Sequence, residues 1–204
     1  MLQQPLRLTA VVCVVAAALL ATSWAPSAAA VDGRYSIEGG TADEQAQVRL
    51  ALRASAFDWQ ILPPVVVHIA RGAWSSASPG EVTLDADLLD AGRFSWGVIQ
   101  HEFAHELDFL VLDDADRTAL TALLGGQSWW PSAGLSHGEL TCERFASTLA
   151  WAYWENTDNV MRPTSAADEA GATSPGAFRA LLSHLLLAKA GADVQSSASS
   201  AHLG

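Results

Sequence analysis

The sequence predicts an α+β fold, with a little β-structure in the first half of the chain and a mostly helical C-terminal part. Three observations carry this. The β-branched run Val65–Ala70 follows the helix-stopping pair Pro63-Pro64, and Glu81–Asp85 alternates polar with apolar residues. No Gly or Pro interrupts residues 98–112, where Val98, Ile99, Phe103, Leu107 and Leu110 supply the apolar body of a helix. Two stretches, Thr41-Ala42-Asp43-Glu44 and Ser136-His137-Gly138-Glu139, have the S/T-x-x-E form of a helix-opening capping box.

The chain opens on a secretory pattern. Met1–Ala30 holds a single basic residue, Arg7, an apolar run from Leu8 to Ala21, and then the small-residue site Ser27-Ala28-Ala29-Ala30. The run is shorter than the ~20 residues a membrane span prefers. The expectation is therefore a signal peptide over residues 1–30, cut after Ala30, and a secreted product beginning at Val31. Residues 31–190 form one domain, long enough for a sizeable core. Residues 191–204, mostly Gly, Ser and Ala, are expected to be a disordered tail.

Charge and cysteine content narrow the partners. The whole chain carries a net charge of −11. Signal removal takes away Arg7 and no acid, so the exported domain is more acidic still. That argues against nucleic acid and, after signal cleavage, against a membrane surface. Only Cys142 survives cleavage, so no intramolecular disulfide is possible. Its two readings are a small buried hydrophobe and a thiol beside a candidate ligand. The sequence carries no signal for an oligomeric state.

In order, residues 31–40 read as an irregular lead-in ending at Gly39-Gly40. The first capping box opens a helix to about Phe57, with Val48, Leu50, Leu52 and Ala56 inward. Val65–Ala70 reads as a buried strand, with His68 a satisfied sheet-face histidine. Gly72–Gly80 is a loop carrying Trp74, Glu81–Asp85 a half-exposed strand, and Leu88–Phe94 turns the chain into the long helix, which Ser95 can cap. Asp113–Asp116 begins the next helix, Ala115 to Leu124, closed by Gly125-Gly126. Gln127–Pro131 is an aromatic loop whose Trp129 and Trp130 either line a cleft or seal the core. The second capping box opens a helix through Glu143 to about Trp154, with Phe145, Leu149, Ala152 and Tyr153 apolar. Ser174-Pro175 starts the last helix, on Phe178, Leu181, Leu182, Leu185 and Leu186.

The chemistry concentrates at His101-Glu102-Phe103-Ala104-His105, an H-E-x-x-H sequence. On a helix, positions i and i+4 share a face, so both imidazoles can reach one Zn²⁺, while Glu102, about 100° round, can hold its water as general base. A zinc site needs a third ligand. Asp108 shares that face but lies about 7 Å too far along the axis, which leaves it to hold a histidine or a cap. His137 is possible. Glu139 already has a task as the capping-box carboxylate. Glu143 has no structural task beside the apolar Phe145 and Ala146, and is favoured as the ligand.

HEFAHELD followed by Glu143-Arg144-Phe145-Ala146, the form E-x-F-A, resembles the small gluzincin metallopeptidases. That group includes the Mlc titration factor peptidases and the catalytic domain of anthrax lethal factor. The resemblance spans residues 64–154. It implies a zincin-like fold, in which the motif helix and a glutamate-bearing helix face each other beneath a small twisted sheet. It also implies peptide hydrolysis, with an extended peptide or protein substrate paired to an edge strand, here Glu81–Asp85. The family's oxyanion-steadying tyrosine is missing, and His137 is the nearest candidate for that role. The alternative is a silent module of the same fold that binds a peptide or protein partner around a structural zinc. Glu102 discriminates, because a silent module needs no base beside the metal.

Overall fold

The computed structural model describes residues 34–201; the expected signal peptide and residues 202–204 lie outside them. The fold is mixed α and β, with a four-stranded sheet and mostly helical structure after it. The strands are β1 (Tyr35–Gly39), β2 (Val65–Ala70), β3 (Ser76–Ser78) and β4 (Glu81–Asp85), in the order β1-β2-β4-β3. β1 and β4 run parallel to β2, and β3 runs antiparallel to β4.

Two of these strands were expected to be irregular. In β1 only Tyr35 and Ile37 point inward, too few to declare a period, yet both are buried against the core. Gly39 ends it at φ 73°, and a Cβ there would lie 2.5 Å from the Ile69 carbonyl oxygen, so the close approach requires glycine. β3 is Ser-Ala-Ser inside the expected 72–80 loop, paired over Ser76↔Thr83, Ala77↔Val82 and Ser78↔Glu81. Its pairing corrects the edge assignment. β4 lies between β2 and β3, so the edge is β3 and not Glu81–Asp85.

β2 is buried on one face only, through Val65, Val67 and Ile69, while His68 on the other face pairs with Glu38 at 3.4 Å. Helix α1 (Ala42–Ala54) crosses between the parallel β1 and β2. Its capping box forms as read, with Thr41 N–H donating to Glu44 Oε2 at 2.6 Å and Glu44 N–H to Thr41 Oγ at 3.2 Å. It stops three residues short of the expected Phe57, which instead packs its ring against Trp59 and Tyr153. The single turn α2 (Ala86–Leu89) and the 3₁₀ turn Gly92–Ser95 lead into α3 (Trp96–Leu110). Ser95 does not cap α3; its hydroxyl donates to the Gly92 carbonyl at 2.7 Å.

α3 is central among the described residues, packed against α1, the β3–β4 hairpin and α5 (Thr141–Ala152). Residues 99–108 are all buried, so its polar side chains must find partners inside the protein. Gln100 donates to the Ala51 carbonyl at 2.8 Å, and Glu106 accepts from Gly80 N–H at 2.7 Å, pinning the hairpin turn to the helix. Gly97 lets the loop around Asn159 approach, since a Cβ there would lie 2.3 Å from Asn159 Oδ1.

α4 (Asp114–Leu124) is capped by Asp113, and Gly125 turns the chain at φ 70°. α5 (Thr141–Ala152) does not begin at the second capping box. Ser136 N–H does donate to Glu139 Oε2 at 2.8 Å, but the box closes only the 3₁₀ turn His137–Glu139. Leu140 is then extended and bridges to Ser128, so Glu143 falls in the first turn of α5. α6 (Pro175–Ala201) lays Phe178 and Leu182 on the core, and it runs on into the stretch from 191 expected to be a tail. Phe103, Phe145 and Phe178 are fully buried, and truncating any one to Ala costs about 3–5 kcal/mol.

Candidate metal centre

α3 and α5 bring together one constellation from the two motifs. His101 and His105 sit one turn apart on α3 with their rings edge to face and their Nε2 atoms 3.1 Å from each other. Glu143 Oε2 lies 3.2 Å from both. E-x-F-A explains why Glu143 is held there: Phe145 and Ala146 enter the core, while Arg144 donates to the Leu124 carbonyl at 2.8 Å and the Gly138 carbonyl at 3.1 Å. With the start of α5 fixed from both sides, the glutamate is left facing α3.

The three atoms form a nearly equilateral triangle. A tetrahedral ion with bonds of about 2.0–2.1 Å has ligand-to-ligand edges of roughly 3.3–3.4 Å, so the triangle fits one within a few tenths of an ångström. The donor set of two imidazoles and one carboxylate suits a borderline ion such as zinc. These residues could hold a metal ion; His137 is not part of that cluster.

The electrostatics follow from burial and from Glu143. Burial holds His101 below the ordinary histidine value, against its hydrogen bond to Glu143. Burial also pulls on His105, but hydrogen bonding and charge from Glu143 outweigh it and hold that ring above the ordinary value. Burial would raise Glu143, yet hydrogen bonds from His101 and His105 win and place it well below the carboxylate range. Burial drives Glu102 up to about 7, with the charge of Glu143 adding to it and His105 and His137 opposing.

These groups floor an open cleft of about 310 Å³. It is lined as well by Ser75, by Ser76 and Ala77 of β3, and by Phe109, Trp130 and Pro131. Phe109 stacks on Trp130 with ring centroids 6.0 Å apart, and the Arg117 guanidinium lies 5.0 Å over the Trp130 ring. The two tryptophans therefore divide the two tasks weighed for them. Trp130 lines the cleft, while Trp129 packs against Phe145 and donates to Asp108 at 2.8 Å.

Each remaining sequence-marked residue has a definite place. Asp108 holds neither a histidine nor a helix end: it accepts from Arg117 Nε and Trp129 Nε1, both at 2.8 Å. Glu139 stays with its cap and with Gln127, away from the triangle. Cys142 is buried, and burial pushes its thiol up to about 12, so it behaves as a small hydrophobe. His137 reaches the site from the 3₁₀ turn, its Nε2 3.0 Å from Glu143 Oε2 and its ring stacked on His101. Sequence reasoning missed Ser147, which lies 3.1 Å from His101 Nδ1, and Glu169, which lies 2.7 Å from His137 Nδ1. Ser147 follows Glu143 by one helical turn, a spacing that could have marked it; Glu169 had no local signal.

No family model matches the chain, and no curated protein or solved structure matches it either. The functional reading rests on the chain's own chemistry.

Proposed function

We propose that the chain is an exported zinc metallopeptidase of the gluzincin type, in which His101, His105 and Glu143 hold the ion and Glu102 is the general base. The observation that carries this is the convergence of three ligand atoms on one point beside a second carboxyl, that of Glu102, in a cleft lined in part by the outer strand β3. When bound, zinc supplies Lewis acidity toward a carbonyl and acidifies a water.

The chain's own residues account for the rest. Glu102 lies on the ligand helix but not among the ligands, and its carboxyl, near 7, can accept a proton and give it back. The outer edge of β3, Ser76–Ser78, unpaired among the described residues, can take an extended peptide by strand addition. The stacked Phe109–Trp130 pair that lines the same cleft gives an apolar surface to a substrate side chain. His137, exposed at the rim with its Nε2 turned inward, is the group to steady a developing oxyanion when its ring is protonated at both nitrogens. The packing of α3 against α5 beside a small sheet supports the zincin-like arrangement that the resemblance implies. The test is zinc content and peptide cleavage of the secreted protein before and after a chelator. Loss of both, with recovery on adding zinc back, supports the reading; cleavage that survives complete zinc removal overturns it.

A further inference from the structure

Glu169 lies in the 3₁₀ turn Glu169–Gly171, remote in sequence from both motifs, and its two oxygens serve two histidines of the site. Oε1 lies 2.7 Å from His137 Nδ1. Oε2 lies 2.7 Å from Ser147 Oγ, which lies 3.1 Å from His101 Nδ1. Counting protons along this path leaves one arrangement. An ionised carboxylate only accepts, so Ser147 gives its single proton to Glu169. The Ser147 oxygen must then accept, and His101 must carry its ring proton on Nδ1. In the neutral ring Nε2 is then bare and turned to the point shared with His105 and Glu143, and a hydrogen bond from that atom to Glu143 belongs to the protonated ring. By the same count His137 donates Nδ1–H to Oε1, and its Nε2, 3.0 Å from Glu143 Oε2, carries a second proton when it donates toward Glu143 or the cleft.

We propose that Glu169 is the positioning residue of this site, a single carboxylate that sets the proton placement of His101 through Ser147 and of His137 directly. It touches no reacting atom and works through the two rings. The proposal rests on the metal-centre reading above. The surroundings suit a fixed acceptor. Ser147 is 2 % exposed, so water does not compete for its hydroxyl. The turn bearing Glu169 is held by Asp168, which accepts from Thr164 N–H at 2.6 Å and Ser165 N–H at 2.9 Å. It is also held by Gly171, where a Cβ would lie 2.0 Å from the Ser165 carbonyl oxygen. A rigid second layer of this kind typically changes metal affinity 10- to 100-fold when removed.

The decisive variant is Glu169→Gln, which keeps size and packing but accepts on one side only. Histidine tautomers are read by long-range ¹H–¹⁵N NMR on the full chain without added metal, and zinc affinity by competition with a chelator. In Glu169→Gln, with unchanged circular dichroism, at least one of His101 and His137 reverses its tautomer. Ser147→Ala alters His101 and leaves His137 as in wild type. Zinc affinity falls about 10- to 100-fold in Glu169→Ala. Wild-type tautomers at both rings in folded Glu169→Gln, or unchanged zinc affinity in Glu169→Ala, overturns the proposal. Should Glu169→Gln not fold, Ser147→Ala decides: an unchanged His101 overturns the proposal. A wild type that takes up no zinc sinks the metal-centre reading instead, and the tautomer comparison still decides the role of Glu169.

Discussion

Replacing Asp108 with Asn tests how the ligand helix is anchored. Asp108 is fully buried, with Oδ1 accepting from Arg117 Nε and Oδ2 from Trp129 Nε1, both at 2.8 Å. Burial holds its carboxyl above the ordinary aspartate value, outweighing the hydrogen bonds from Arg117 and Trp129. The bracket is thus no large source of net stability while intact, and its cost appears when one partner is changed. Asn accepts on one side and donates on the other, so one of the two N–H groups is left facing a donor. Breaking a buried pair costs about 3–5 kcal/mol. Arg117 keeps the Asp108 backbone carbonyl at 2.7 Å and Asp114 at 2.9 Å, which favours the low end. The expected loss is about 3 kcal/mol, a drop in Tm of roughly 6–12 °C at 2–4 °C per kcal/mol. Urea and thermal unfolding followed by tryptophan fluorescence measure it. Zinc content should hold at low temperature, because no hydrogen bond joins Asp108 to either ligand histidine. A loss below about 1 kcal/mol, or a fall in zinc affinity without a fall in stability, refutes this anchoring role.

Other outcomes follow from the same geometry. Glu143→Ala should lose bound zinc while Glu139→Ala keeps it, as read by metal analysis of the purified proteins; equal retention in both contradicts the ligand set. Glu106, which burial drives up to about 7 against the Gly80 N–H, should make stability pH-dependent. A folded-state pKa above the unfolded one favours the protonated form, so its contribution is complete below about 4.5 and is lost as pH rises through about 7. Glu106→Gln should therefore gain on wild type by about 1–3 kcal/mol between pH 4.5 and pH 8 in urea unfolding, and parallel stability curves would count against this. Trp130→Ala should lower kcat/KM about 10- to 100-fold for peptides with an aromatic or large aliphatic residue near the cleaved bond, and far less for small-residue peptides. Equal losses across both sets would show that the Phe109–Trp130 pair does not select.

What could be read from the residues was whatever local spacing dictates. The i, i+4 geometry of His101 and His105 and the missing structural task of Glu143 point to one centre, and α3 and α5 meet there. Both capping boxes form, yet the second closes a 3₁₀ turn, because Leu140 is drawn into a bridge with Ser128 that no local pattern announces. β1 and β3 escaped notice for a related reason. Two inward residues, or three small ones, carry no period, and only their partners β2 and β4 make them strands. Missing β3 led directly to the wrong edge strand. The face shared by Asp108 with the histidines was legible from the helix, but its partners Arg117 and Trp129 come from elsewhere in the chain. Glu169 is the extreme case, since tertiary packing alone carries it to His137.

The measurement closest to the central claim compares wild type with Glu102→Gln at matched zinc content on a quenched peptide library, with and without a chelator. The substitution is nearly isosteric and leaves the triangle of His101, His105 and Glu143 untouched, so zinc and fold should stay. Gln can accept a hydrogen bond but cannot take a proton, and general-base contributions are about 10²–10⁴-fold. The expected result is chelator-sensitive cleavage by wild type and a loss of that size in the variant. Zinc-loaded, folded wild type that cleaves nothing in a broad library, or a variant that cleaves as fast as wild type, contradicts the claim.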